Sequence, residues 1–517
     1  MMESTDLDEI YPRVTKRMEK LLRLANACPQ RPRYHFRCPM GWMNDPNGTI
    51  YRNGMYHLFY QHNPCSTKWG PMHWGHAASM DLVHWKHLPV ALSPSLDRGE
   101  DLGCWSGCCV DNDGVPTILY TSIGTNRSAR DAAEQWVAIS DDAMITWKKP
   151  TSNPAMTCSL HGHQPIHDWR DPYAWSNERG TWRVILGGHY PGEKNKPVVS
   201  IYSSKDLQTF SHDGELISIN QPGTMDRELS RKSSIPLLSN DISLGHNWEC
   251  PNFFMVDNPS FTWCLVVSPH SKVIYCLGTW DGDTFKPRDW HALDHGKKFY
   301  ATNTWYGPKG DLILAGWIQG GGTGGWDGLI SLPRKLSLDG RGRLVQEPIN
   351  ALQQLRRKQV DIPGFSVMDG ESVKASDAGG ELASKLLQSC DQMLEFLARI
   401  RVEYRDGVTD ARFGICIFDE SNVTGKRLPG EIGIDLEDSV LYAYDEYGRI
   451  QLRAGGIYNF HVFIDKSVIE AFLDWHDVIT ARCKTSGSPV PKIEILAHNC
   501  VVNVEKISIW ALTPTWK

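Results

Sequence analysis

A short pattern recurs along the first two thirds of the chain, and it limits the fold more than any other feature. Ser79-Met80-Asp81-Leu82-Val83-His84-Trp85 returns as Ser140-Asp141-Asp142-Ala143-Met144-Ile145-Thr146-Trp147 and again as Ser204-Lys205-Asp206-Leu207-Gln208-Thr209-Phe210. A fainter copy is Trp280-Asp281-Gly282-Asp283-Thr284-Phe285. Each copy reads as a strand end, an acidic turn and an aromatic that opens the next strand. Asp81, Asp142 and Asp206 stand roughly sixty residues apart, with a longer gap to Asp283, and such a period suits a four-stranded propeller blade with its loops. From Arg33 to Pro348 it predicts about five blades. A sandwich would supply similar short strands but not the recurrence.

Beyond this region the recurrence stops. The 517 residues exceed what one core usually supports, so two domains are expected. Alternating runs at Leu394 to Tyr404, Arg412 to Phe418, Ile432 to Leu436, Tyr458 to Ile464, Val468 to Leu473 and Lys492 to Ala497 predict an antiparallel β-sandwich. The fold class is therefore all-β: an N-terminal helical extension over 1–32, a five-bladed β-propeller over 33–349, a linker over 350–375 and a sandwich over 376–517. Asn220 to Ser239, polar and containing Gln221-Pro222-Gly223, reads as a surface loop.

Ile10, Val14, Met18, Leu21 and Leu22 recur at helical spacing among charges, so the N-terminal segment reads as an amphipathic helix packed on the protein. It lacks a secretory apolar core, which points to a cytoplasmic protein if Met1 is the natural start. The 14 cysteines show no zinc-type spacing and read as buried thiols. A net charge of -6 without a basic run argues against nucleic acid, and no apolar run reaches the length of a membrane span.

Three acidic motifs carry the chemistry. Asp45 lies in the turn-forming run Gly41-Trp42-Met43-Asn44-Asp45-Pro46-Asn47-Gly48. Taken alone it is an ordinary turn residue, but Trp42, Gln61, Trp69, His73 and Trp74 surround it in sequence with the aromatic and amide groups that sugar sites use. Asp171 stands between Arg170 and Pro172, where a neighbouring guanidinium would keep it ionised. Glu249 stands between Trp248 and Cys250, an apolar setting that would keep it protonated as a general acid. On separate blades, all three could converge on the propeller axis, and a nucleophile facing an acid is the machinery of glycoside cleavage.

At this point the chain resembles glycoside hydrolase family 32, the β-fructofuranosidases, from Tyr34 almost to its end. Trp42-Met43-Asn44-Asp45-Pro46-Asn47-Gly48 resembles the family's nucleophile motif, Arg170-Asp171-Pro172 its Arg-Asp-Pro motif and Glu249-Cys250 its Glu-Cys motif. The resemblance implies that Asp45 is the nucleophile, Glu249 the acid/base and Asp171 the transition-state stabiliser. It implies substrate-binding roles for Asn44, Gln61, Trp69, Trp105, Ser106 and Arg170. Val462 to Phe472 resembles a strand pair of the family's sandwich, which makes Asp465 and Glu470 structural. Trp105, Cys108 and Asn252 depart from the usual Phe, Ser and Asp, and Phe299 to Asn303 lacks a frequent Gln.

The implied activity is a retaining β-fructofuranosidase acting on sucrose or short fructo-oligosaccharides, with no cofactor and no metal. A fructosyltransferase shares this chemistry, as does an exo-inulinase or levanase. A non-catalytic sugar-binding propeller would need the aromatics but not the three acids.

Overall fold

A computed structural model of the chain describes residues 6–516 except 141–142, 178–179, 193–194, 220–241, 258, 322–323, 405–407, 419–430 and 484–489. The expected loop at Asn220 to Ser239 and the repeat acid Asp142 lie outside the described residues.

The repeat marks one turn of a blade. Five sheets of antiparallel strands follow one another: Gly41–Arg52 to Trp85–Leu92, Gly103–Asn112 to Met156–Thr157, His167–Ser176 to Phe210–Ser218, Glu249–Asp257 to Phe285–Ala292, and Phe299–Tyr306 to Leu344–Pro348. Between the third and fourth strands of four blades, one Asp carboxylate accepts two backbone N–H groups. Asp81 Oδ1 takes those of Val83 (2.9 Å) and His84 (2.8 Å), and Asp206 Oδ1 those of Gln208 (2.9 Å) and Thr209 (2.8 Å). Such Asx turns explain why acid and aromatic recur together. In the fourth blade the turn acid is Asp281, not Asp283: its Oδ1 takes the N–H groups of Asp283 (3.0 Å) and Thr284 (2.7 Å). Asp339 does the same in the fifth blade, for Arg341 (2.8 Å) and Arg343 (2.9 Å). The ring is closed by Trp326–Asp327 from the last blade, which runs parallel to Gly41 and Trp42 of the first.

The sandwich has two six-stranded sheets enclosing an aliphatic core. The expected linker is a correction. Residues 350–375 hold the sandwich strands Arg356–Val367 and Ser372–Lys374, and the first of these pairs along its length with Val501–Leu512. It is an edge strand with few buried side chains, so it accommodates Pro363 and carries no alternating apolar signal. The N-terminal segment forms two helices, Leu7–Ile10 and Lys16–Ala27, with Pro12 between them and Thr15 capping the second. Met18, Leu22 and Ala25 pack on Met40, Ile318, Trp326 and the sandwich residue Val468.

A buried ionic network joins the domains. His35 of the propeller places Nδ1 2.9 Å from Asp465 Oδ2 and Nε2 3.1 Å from Glu470 Oε1, both in the sandwich. Arg334 reaches Glu470 Oε2 and Asp294 Oδ2, each at 2.8 Å. Asp465 also accepts the backbone N–H groups of Arg33 (2.7 Å), Tyr34 (2.8 Å) and His35 (2.9 Å). All five side chains are fully buried. Burial alone would discharge His35, yet its bonds to Asp465 and Glu470 outweigh that and hold it protonated to about 9.

Candidate active site

The innermost strand of every blade carries a two-against-one bulge at the same height. Asn44-Asp45 bulges opposite Gln61, Trp105-Ser106 opposite Thr121, Asp171-Pro172 opposite Leu186, Cys250-Pro251 opposite Val267, and Ala301-Thr302 opposite Gly316. A bulge interrupts the alternation of a strand and re-aims its side chains. Five bulges around one axis therefore turn polar side chains toward the mouth of the ring, where a regular strand would bury them between blades. Three bulge residues hold left-handed backbone without being glycine: Asp171 (φ 62°), Cys250 (φ 46°) and Ala301 (φ 47°). Such conformations cost about 1–3 kcal/mol each and persist where surrounding packing imposes them.

The three sequence-derived acids meet here. Asp45 is held by Asn44, whose Nδ2 donates to Oδ1 at 2.9 Å, and by Ser106, whose hydroxyl donates to Oδ2 at 2.5 Å. Asn44 is in turn fixed by the Trp42 indole N–H at 2.7 Å. The Cys250 thiol lies 3.6 Å from Asp45 Oδ2 and 3.5 Å from Asp171 Oδ2, linking the two carboxylates. Asp171 Oδ2 accepts the Cys250 backbone N–H at 2.9 Å. Glu249 is bound by the Arg170 guanidinium through Oε1 and by the Tyr300 hydroxyl through Oε2 at 2.5 Å.

The remaining predicted residues form the walls. Trp105 stands edge-to-face with Trp69, ring centres 5.6 Å apart, and the Arg170 guanidinium lies 5.7 Å from the Trp105 ring. Trp69 is 49% exposed, so its indole is open to a ligand. Gln61 is buried, and its Nε2 donates to the Cys104 carbonyl at 2.9 Å. Its amide nitrogen thus braces the strand beside Asp45.

The charge assignment differs from the expectation drawn from neighbouring residues. Arg170 follows the strand away from Asp171, its Nε 3.9 Å from that carboxylate, and gives its hydrogen bonds to Glu249 and the Asp168 carbonyl. Burial, only partly offset by Arg170 and reinforced by the charges of Glu249 and Asp45, pushes Asp171 up to about 7. Burial also raises Asp45, against the hydrogen bonds from Ser106 and Asn44. For Glu249 burial is outweighed by Arg170, with His270 and Tyr300 adding to it, and the carboxyl falls below its ordinary value. In the free site Asp171 therefore holds a proton more readily than Glu249. The three acids titrate as a group, and moving one proton from Asp171 to Glu249 leaves the total unchanged.

Three contributors were not legible in the sequence. Tyr300 sits in a strand that looks like ordinary core, Thr121 accepts the Asp171 backbone N–H at 3.1 Å, and His270 follows Ser268-Pro269 in an unremarkable turn. Only the closing of the ring brings them to the acids. Among the described residues no group of three or more His, Cys, Asp or Glu is arranged to hold a metal ion, and no helix is long and apolar enough to cross a membrane. Of the 14 cysteines, 11 are buried.

Comparison with known proteins agrees with this architecture. The family model described as "Glycosyl hydrolases family 32 N-terminal domain" matches residues 35–348, the propeller. Sucrose-6-phosphate hydrolase of Escherichia coli is 29% identical over 93% of this chain and 94% of its own. A cell wall β-fructofuranosidase of Zea mays is 33% identical over 66% of this chain and 59% of its own. The fold matches that of fructan 1-exohydrolase IIa from Cichorium intybus, with a TM-score of 0.76, 22% identity, and coverage of 94% of this chain and 98% of that one. With a propeller of five bulged inner strands, a family match across all of it and a β-sandwich behind it, the chain belongs to glycoside hydrolase family 32 and is a glycoside hydrolase.

Proposed function

We propose that this enzyme is a retaining β-fructofuranosidase that removes terminal β-D-fructosyl residues from sucrose or short fructo-oligosaccharides. The observation that carries the reading is the pairing of unlike carboxylates across the axis. Asp45 is bound only by neutral donors, whereas Glu249 is bound by Arg170 and Tyr300. Asp45 attacks the anomeric carbon as Glu249 gives its proton to the departing oxygen. Glu249 then takes a proton from water, whose oxygen displaces Asp45 from the sugar. Asp171 favours the cationic transition state, and its charge acts strongly because its carboxylate is buried. Trp69 and Trp105 offer flat faces to the sugar rings, and Asn44, Gln61, Ser106 and Arg170 fix the geometry around them.

Asp45→Ala is expected to lower kcat by ~10³-fold or more on every substrate, with folding intact. Glu249→Ala is expected to fail on sucrose yet to release fluoride from a fructosyl fluoride, whose leaving group needs no proton, with azide, a nucleophile that needs no base, displacing Asp45 to give fructosyl azide. Normal sucrose cleavage by folded Asp45→Ala would overturn the assignment. The second reading is a phosphorylated leaving group, favoured by the Escherichia coli relative that spans nearly the whole chain. Comparing kcat/KM on sucrose and on sucrose 6-phosphate separates the two, and product analysis in concentrated sucrose measures transfer to sugar acceptors.

A further inference from the structure

One group at the site remains without a role. His270 lies in the turn after the second strand of the fourth blade, in left-handed backbone (φ 59°). A histidine there costs backbone energy that Gly would not. What the turn achieves is contact with the acid/base from two directions. The backbone N–H of His270 donates to the Tyr300 hydroxyl at 3.0 Å, and that hydroxyl donates to Glu249 Oε2. The imidazole itself places Nε2 3.5 Å from Glu249 Oε1. Of the three side chains around Glu249, Arg170 and Tyr300 are buried, while the His270 side chain is 59% exposed.

Exposure decides which side of Glu249 this is. The acid gives its proton to the leaving oxygen, so the leaving group must depart, and water arrive, on the side of Glu249 open to solvent. We infer that His270 is a positioning residue for Glu249, setting how the carboxyl shares the site's proton and forming the wall past which the leaving group exits. This rests on the assignment of Glu249 as acid/base.

The charged and titratable groups facing Glu249 are Arg170 and Asp171 from the third blade, Asp45 from the first, Tyr300 from the fifth, and Cys250 and His270 from its own. Arg170 and Tyr300 are fixed by burial, so His270 is the partner that solvent and substrate can reach. Positive charge on the imidazole stabilises ionised Glu249, the form that deprotonates water in the second half of the reaction. Removing the imidazole returns the proton to Glu249. The productive arrangement, with Glu249 protonated and Asp45 ionised, then survives to higher pH.

His270→Asn keeps a residue that tolerates left-handed backbone, and His270→Gly keeps the backbone outright should the first variant fold poorly. In either, the alkaline limb of kcat/KM on sucrose should move to higher pH and the acid limb should stay. The first-turnover burst of fluoride from a fructosyl fluoride, which needs no acid, should remain unchanged, while steady-state turnover limited by the water step should fall several-fold. An unmoved alkaline limb, or a fluoride burst that falls as much as sucrose turnover does, would overturn the inference. Glu249→Ala run alongside separates the two levels. If it loses sucrose cleavage and keeps fluoride release while His270→Asn behaves as wild type, His270 is irrelevant and Glu249 stands. If Glu249→Ala still cleaves sucrose, the acid/base assignment itself falls.

Discussion

Two triplets of carboxylates stand out among the described residues, one fully buried between the domains and one partly buried at the propeller mouth, and they differ in what faces them. Asp294, Asp465 and Glu470 between the domains meet two cations, His35 and Arg334, and a row of backbone N–H groups. Their partners outweigh burial for Asp465 and Glu470, which are held below their ordinary values. Asp45, Asp171 and Glu249 share one buried cation, and Arg170 gives its hydrogen bonds to Glu249. Two of these acids are consequently raised. The same residue type thus stabilises one region and burdens the other. Compensated carboxylates join the domains, and in the proposed mechanism Asp45 and Asp171, which burial raises, are the ones left to attack and to answer a developing positive charge.

The largest effect expected on the compensated side comes from Arg334→Met. Leaving Asp294 and Glu470 buried without their cation should cost about 3–5 kcal/mol in denaturant unfolding. Activity per folded molecule should be retained, because Arg334 does not touch the site.

His35→Gln should cost less, about 1.5–3 kcal/mol, since the amide keeps part of the hydrogen bonding. Its signature is the pH dependence. His35 is raised in the folded protein to about 9 from an ordinary 6.5, so its contribution is complete below pH 6.5 and is lost as pH rises through about 9. Wild-type stability should decline across that window, and the variant should lose that decline.

On the under-compensated side, Tyr300→Phe removes one donor from Glu249 and should lower kcat/KM on sucrose by about tenfold. The alkaline limb should move upward, because the hydroxyl helps to keep Glu249 ionised. An unchanged pH profile would show that Glu249 is governed by Arg170 alone.

What the sequence could disclose follows the same division between local and assembled structure. The blades were legible because each Asx turn is made within a few residues, as at Asp81 and Asp206. The fifth, at Asp339, is hidden because the residue opening its last strand is Leu344 where the other copies have an aromatic. The three acids were legible through their motifs. Their charge states were not, because chain neighbours on a strand need not be partners in space: Arg170 reaches across to the fourth blade, past the residue beside it. The bulge ring and the Tyr300 contact exist only once five strands stand around one axis. The edge strand Arg356–Val367 was hidden for the opposite reason, having little buried surface to impose a pattern.

The central claim is that Asp171 and Glu470 differ in the sign of their contribution to stability, and thermal melting of Asp171→Asn beside Glu470→Gln at pH 8 tests it most directly. Asp171 is raised to about 7 from an ordinary 3.8, so the folded protein binds the extra proton and loses stability as pH climbs through that interval. At pH 8 the ionised carboxylate is a burden, which an amide of the same shape relieves while keeping the bond from the Cys250 N–H. Glu470 is lowered by His35 and Arg334, so its charge contributes stability at every pH above its ordinary value. Asp171→Asn should therefore melt above wild type while losing turnover, and Glu470→Gln should melt below it. A fall in Tm for both variants would contradict the account.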